Sequence, residues 1–393
     1  MPVAALCAAE ILTLAAFAMF PALQPLLRVE WGLSNTAAGW ISGIYYAGYT
    51  LAVPVLTGVP DHVDPRRVWL ASAALTAVAA LLFATVADGL TGALVCQVLA
   101  GIGLAGTYMP GLKLLADAVE GPRQARFIAF YTTSFTIGSA LSFYMLGALA
   151  DAVGWRGAVL AAAVGPAIAV GIVAAAVPAH ASRRFEWRAL WALDFTPVLR
   201  AGHSMRIIGT YAAHMWELFA YRAWLVPYLV FTERLRGSPG AVRPTTVAAF
   251  VLLIGVGSSI FGNELSVRFG RRTLVTTVMA AGLVLSVLVG LSSQSAWPLL
   301  VVACGLYGVI VTADSAALTS GLIATAAPQV RGATMALHSM IGFAGAFGGS
   351  LAVGAVLDAM GGQSAHSWLV AFAVMGLPGI AGIFMIRSNR THG

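Results

Sequence analysis

Charge is what this chain has least of. Asp, Glu, Lys and Arg make up 9% of its 393 residues while 59% are apolar, against roughly 25% and 45–50% in soluble globular domains. No water-soluble domain has such a composition. Cysteine is scarce as well: Cys7, Cys96 and Cys304 lie singly in apolar runs, and an odd number without secreted-domain spacing excludes a disulfide framework. Redox chemistry is therefore not indicated. Lysine is almost absent, at one residue against 21 arginines, a balance compatible with a high-GC genome. No pair of acids, Cys/His cluster or Gly-x-Ser-x-Gly element stands in a polar stretch where it would serve as an active site. The expectation is a chain that is not an enzyme and needs no cofactor. A net charge of +7 would suit nucleic acid, but in so apolar a chain basic loops belong on the cytoplasmic side of a membrane, and no nucleic-acid partner is expected.

What the chain does have is apolar length. A bilayer crossing takes about 20 apolar residues, and runs near 3–27, 36–59, 67–87, 90–116, 126–150, 157–178, 205–231, 245–265, 273–292, 296–326, 332–357 and 367–386 predict twelve helices. The first run has no basic stretch before it and continues through Pro21 and Pro25, so it reads as helix 1 rather than a signal peptide. With the N-terminus inside, sixteen basic residues fall in inner segments. Five fall outside, Arg28, Arg156, Arg234, Arg236 and Arg243, and Arg222 is left within a helix. That asymmetry places both termini of a multi-pass inner-membrane protein in the cytoplasm. The longest polar break, 179–204, divides the chain into halves at 1–178 and 205–393 of six helices each. Its Phe185, Trp187, Leu190 and Trp191, interleaved with Arg183, Arg184 and Arg188, read equally well as an amphipathic helix along the headgroups and as an ordinary linker.

The halves share a feature. After helix 2 stands Asp61-His62-Val63-Asp64-Pro65-Arg66-Arg67, and after helix 8 stands Glu264-Leu265-Ser266-Val267-Arg268-Phe269-Gly270-Arg271-Arg272. An acid and a basic cluster in a tight turn hold helices together by charge-assisted contacts. These loops, with Gly58 before the first, resemble the signature of the major facilitator superfamily of secondary transporters, as does Gly154-Trp155-Arg156 before helix 6. The resemblance implies an all-α membrane protein of twelve transmembrane helices in two pseudo-symmetric halves. It also implies a cytoplasmic gate built from Asp61, Arg66, Arg67, Glu264, Arg271 and Arg272. Two departures bear on mechanism. Gln97 stands in helix 4 where the family often has an arginine tied to proton coupling, and Gly138-Ser139-Ala140 in helix 5 lacks the glycine-proline pair common in drug exporters. The chain is similar in size to small bacterial carriers of anions such as cyanate-type permeases.

Gly101-Ile102-Gly103-Leu104-Ala105-Gly106 has the spacing of a dinucleotide fingerprint but none of its strand-to-helix context; small residues that let helices approach explain it better. An ionisable residue deep in a bilayer is costly unless paired or wetted, and so marks a functional candidate. The deep ones are Glu10, His214, Glu217, Arg222, Asp314 and His338. His214, Glu217 and Tyr221 in helix 7 stand at i, i+3 and i+7, on one stripe, and a histidine and a carboxylate one turn apart change each other's proton affinity. A buried network that only holds helix 7 in place is the competing explanation. Aligning Pro21 of helix 1 with Pro227 of helix 7 sets Glu10 opposite Trp216, beside Glu217. Coupling is thus assigned to His214, Glu217 and Glu10, although Glu10 would also suit an inner gate. Arg222, Tyr46, Tyr49, Tyr108, Trp216, Tyr221, Tyr307, Asp314 and His338 are assigned to substrate binding, since a hydroxyl or charge in lipid needs a partner. Tyr131, near the inner end of helix 5, reads either as one more cavity-lining hydroxyl or as no more than an interfacial anchor. His214-Met215 and His338 with Met340 offer soft ligands, but no metal site is expected.

Together these features predict a monomeric secondary transporter in the lipid bilayer. The leading cargo is a small organic anion carried with a proton, from Arg222 and the protonatable pair. Export of an apolar or cationic compound, and carriage of copper, are the alternatives.

Overall fold

The computed structural model describes residues 2–58, 63–119, 123–179 and 194–388. Among the described residues there is no strand, and the chain is an all-α membrane protein. Helices α1 (Pro2–Thr13) and α2 (Gln24–Glu30) lie in the first expected run, and α3 (Asn35–Gly58), α4 (Pro65–Thr85) and α5 (Leu90–Ala118) in the next three. The stretch α6 (Arg123–Ala176) carries the fifth and sixth as two helices joined at Gly154. Short α7 (Thr196–Arg200) precedes α8 (Gly202–Arg236), α9 (Pro244–Phe269) and α10 (Arg271–Leu291), which carry runs seven to nine. Run ten is divided between α11 (Trp297–Thr312) and α12 (Ser315–Thr325). Run eleven is α13 (Arg331–Ala359), and the last is divided between α14 (Ala365–Gly376) and α15 (Pro378–Ser388). Eight stretches among the described residues are long and apolar enough to cross a membrane, one of them the double-length Arg126–Ala176.

The helix breaks follow from local chemistry. Gly154 has φ 75° inside α6, a left-handed value that an L side chain seldom adopts, and it bends the chain between two expected helices. Arg156, two residues on, donates to Ala84 O at 2.8 Å and Ala87 O at 3.4 Å. It thereby caps the orphan carbonyls at the end of α4, while its guanidinium lies 4.3 Å from the Trp155 ring centre. At the other end of α4, Asp64 accepts from Arg66 N at 2.9 Å and Pro65 opens the helix, the arrangement favoured at a helix start.

Helix 1 of the sequence reading is not continuous. After Thr13 the backbone tightens to a 3-10 turn at Leu14–Ala16 and then runs as turns to Leu23. A bilayer supplies no water to the freed backbone groups. Ser142 of α6 serves them, accepting from Ala18 N at 2.9 Å and donating to Ala15 O at 2.6 Å.

The chain divides into two compact units, Met1–Leu23 with Ile44–Leu193, and Gln24–Gly43 with Asp194–Gly393. This differs from a simple division at 179–204, since Gln24–Gly43 groups with the second unit. Within that unit the start of α3 is held by Asp358 at the end of α13, whose carboxylate accepts from Asn35 N at 3.0 Å, Asn35 Nδ2 at 2.8 Å and Thr36 N at 2.7 Å. Gly354 lets α13 approach so closely that a Cβ there would meet the Asn35 carbonyl at 2.2 Å.

Candidate functional site

In the first unit α1 carries Glu10, which is 0% exposed. Its Oε2 accepts from the Tyr131 hydroxyl at 2.8 Å, and its Oε1 has no partner. Tyr131 also lies 3.0 Å from Thr107 O and receives Trp69 Nε1 at 3.3 Å. One hydroxyl proton thus faces two acceptors. With Glu10 ionised, that proton belongs to the carboxylate. With Glu10 protonated, the carboxyl donates to Tyr131 and the hydroxyl turns to Thr107, so Oε2, the hydroxyl and the Trp69 N–H keep a partner in either state. The geometry accommodates both states without moving a helix. A Cβ at Gly111 would lie 1.9 Å from the Tyr131 hydroxyl, so glycine at this point of α5 makes the room.

Tyr131 is therefore not an interfacial anchor. It is 0% exposed and is the hydroxyl partner of Glu10. Its place near a helix end misled the sequence reading, which could not see that the helix end is buried against α1. Tyr108 stacks on Tyr131 with ring centres 6.2 Å apart. Tyr45, Tyr46 and Tyr49 are buried on α3, with Tyr45 edge-on to both Phe17 and Tyr46. A cavity at the break in helix 1 is lined by Thr13, Leu14, Phe17, Tyr45, Thr76 and Leu104 among others, none of them charged. Gln97 is buried with its side-chain oxygen unpartnered.

In the second unit α8 carries the dense stretch. His214 and Glu217 are 2% and 3% exposed, but they do not serve as each other's partners. The Tyr307 hydroxyl of α11 donates to Glu217 Oε1 at 2.9 Å, whereas His214 Nδ1 lies 2.8 Å from Oδ1 of the buried Asp314. The correction has a plain cause: α11 ends at Thr312 and α12 begins at Ser315, and the break points Asp314 at a histidine that helical spacing had assigned to Glu217. Gly262 of α9 permits the break, since a Cβ there would meet the Ala313 carbonyl at 1.8 Å. Gly282 of α10 likewise leaves room for the Glu217 carboxylate, 2.9 Å from where its Cβ would be.

The remaining candidates separate into two groups. Tyr221 donates to Cys304 O at 2.7 Å and stands edge-on to Tyr307 at 4.7 Å, which extends the Glu217 cluster. His338 stacks on Tyr211 at 3.7 Å, and Tyr211 stacks on His214 at 5.7 Å, so an aromatic that sequence reasoning passed over joins the two histidines. His338 Nε2 is 3.4 Å from Thr319 Oγ1. Trp216 instead donates to Val374 O at 3.2 Å, and Arg222 lies over Phe219 at 5.1 Å. Among the described residues no group of three metal-ligating side chains comes together.

Of the expected gate residues, Asp61 lies outside the described residues. Arg66 donates to Ala174 O at the end of α6. Arg271 packs against Gly321 of α12, where a Cβ would meet its guanidinium at 2.4 Å. Arg67 follows Arg66 on the first turn of α4, and Glu264 and Arg272 are exposed on α9 and α10.

Breaks in two membrane-length runs, each near buried ionisable groups, are the architecture of carriers that bind solutes within the bilayer. The sequence profile of the Major Facilitator Superfamily matches residues 6–235. The chain belongs to this superfamily. A protein of Streptomyces coelicolor named as a probable transporter is 26% identical over 373 residues, covering 94% of this chain and 82% of that one. Among solved structures, the nucleoside transporter NupG superposes with a TM-score of 0.75 at 14% identity, covering 100% of both chains. A bacterial homologue of the human lysosomal transporter Spinster gives 0.74 at 14% identity over 99% of this chain and 94% of that one. The human organic anion transporter MFSD10 gives 0.68 at 16% identity over 98% of each. At such identities the superpositions establish the fold and leave the cargo open. This superfamily member is a multi-pass membrane transporter, and its family points to transport rather than to catalysis.

Proposed function

We propose that this transporter is a proton-coupled carrier of a small organic anion, working by alternating access in the inner membrane. The observation that carries the coupling is the pair of buried carboxylates, Glu10 and Glu217, each held by a tyrosine hydroxyl rather than by a cation. Glu10 gains or loses a proton at little structural cost, because the Tyr131 hydroxyl has Thr107 O as a second acceptor, and the Tyr307 hydroxyl serves the ionised form of Glu217. His214 with Asp314 adds a second protonatable pair in the same unit as Glu217. Gln97 in helix 4 leaves coupling to these groups. Arg222 supports the anionic cargo as the one arginine set midway along the membrane run of α8, with Tyr46, Tyr49, Tyr108, Trp216, Tyr221, Tyr307 and His338 as the other proposed binding residues. Asp61, Arg66, Arg67, Glu264, Arg271 and Arg272 remain the proposed cytoplasmic gate.

A second reading has its own support. The lining of the small cavity beside Phe17 and Tyr45 is uncharged, which favours export of an apolar or cationic compound over uptake of an anion, with the acids as recognition elements for a cation. Counter-transport of a panel of anions and cations in proteoliposomes, with and without a pH gradient, separates the two. For coupling, Glu217→Gln should abolish uphill uptake driven by the gradient while exchange persists, since exchange needs reorientation of the site but not deprotonation. Undiminished proton-driven accumulation in Glu217→Gln would refute the assignment.

A further inference from the structure

Away from the buried carboxylates, the second unit holds a pocket that the transport reading does not use. Gln24, Arg28, Arg234 and Gln363 line it, between Pro25 and Pro227. Gln24 is 0% exposed, yet neither its amide nitrogen nor its oxygen has a partner. An amide buried and left unpaired is costly, so its presence on a pocket wall points to a ligand that completes it.

The charges around the pocket fit one class of ligand. Arg28 and Arg234 lie close enough to repel each other. Asp358 is the acid that offsets Arg28, but both its oxygens already accept from Asn35 and Thr36. Gln363 is likewise engaged, donating to Asn35 Oδ1 at 3.0 Å. Glu233, next to Arg234, accepts from Gly240 N at 2.8 Å. The pocket wall therefore carries two arginines and one unpaired amide, with Glu30 the acid on the adjoining groove. The space at its centre takes about one water-sized group, enough for a single anionic oxygen but not for a whole solute.

Beside it runs an open groove along Pro25, Leu26, Val29 and Arg234, with Glu30 on its rim. Leu26 and Val29 are 44% and 63% exposed. Charged donors adjoining an exposed apolar track match an amphiphile whose anionic head is small. We propose that Gln24, Arg28 and Arg234 bind the phosphate of an anionic phospholipid, whose acyl chain lies along Leu26 and Val29. Arginine forks suit phosphate geometry, and the Gln24 amide supplies the donor that fixes its depth.

The test uses the full chain in phosphatidylcholine nanodiscs, with phosphatidylglycerol added in increasing fraction or, in a separate arm, with inorganic phosphate at constant ionic strength. The melting temperature of the unchanged protein should rise saturably with phosphatidylglycerol. Arg28→Gln with Arg234→Gln should raise the half-saturating fraction about tenfold. Gln24→Leu, which keeps both charges and most of the volume, should weaken the response in the same direction and covers the case in which the double variant does not fold. An equal rise in the unchanged protein and in Gln24→Leu overturns the site, as does the absence of any rise. A response to inorganic phosphate with none to the lipid overturns the lipid in favour of a free-anion site.

Discussion

At the residue scale the decisive feature is the tyrosine that accompanies each buried carboxylate. Removing the hydroxyl at Tyr131 leaves Trp69 Nε1 and Glu10 Oε2 without their partner, a loss of about 1–3 kcal/mol for each buried group so stranded. Tyr131→Phe should therefore lower the melting temperature of the purified protein by several degrees. Glu10→Gln should melt close to the unchanged protein, because the neutral amide occupies the same space and still bonds to the hydroxyl. A large loss of stability in Glu10→Gln would argue that the carboxylate is needed in its ionised form. Arg222 sets a different question. If it pairs with an anionic cargo, Arg222→Lys should keep the fold but lose most of the substrate-induced stabilisation in melting assays, since a bidentate fork is replaced by a point charge. Full stabilisation by the cargo in that variant would count against anion binding.

At the element scale, two membrane-length runs are broken and each break has a repair. The first depends on Ser142, which satisfies both Ala18 N and Ala15 O. Ser142→Ala strands both groups in a region without water, and should cost about 1–3 kcal/mol for each, read as a drop in melting temperature, whereas an alanine at the exposed Thr132 should have little effect. The second depends on Gly262, where an added Cβ would sit 1.8 Å from a backbone oxygen. Backbone does not yield as a side-chain tip does, so Gly262→Ala should reduce the yield of folded protein and, where folded, loosen the approach of Asp314 to His214. Neither break was legible in advance. Helix 1 reads as one apolar run through Pro21 and Pro25, and 296–326 as another, because hydropathy records which residues prefer lipid and says nothing of a turn that a neighbouring helix satisfies.

At the scale of the whole molecule, the basic residues predict orientation. From sixteen against five, both termini and 179–204 are expected in the cytoplasm. Single cysteines at Ser182 and His392 should then resist impermeant labels in whole cells, and one at Ser238 should react. The opposite pattern would invert the topology. The grouping of Gln24–Gly43 with Asp194–Gly393 is a feature of this scale too, and Asp358 meeting the start of α3 contributes to it beside the close approach of Gly39 and Gly43 to α13. Asp358→Ala should free the amide protons of Asn35 and Thr36, and hydrogen exchange should quicken there first.

Composition and periodicity alone determined the class of this protein, its helical runs and most of the ionisable residues worth testing, because the bilayer makes apolar length and rare charge so costly to misplace. The loop motifs at Asp61–Arg67 and Glu264–Arg272, with Gly154-Trp155-Arg156, carried the family. Only the tertiary structure decided who pairs with whom. Helical spacing joined His214 to Glu217, yet their partners, Asp314 and Tyr307, come from residues some 90 or more positions away. Tyr131 reads equally as an anchor and Tyr211 is passed over for the same reason: a hydrogen bond or ring contact across helices depends on which faces meet, and on glycines such as Gly111 and Gly282 that let them meet closely, and neither leaves a periodic mark in the sequence.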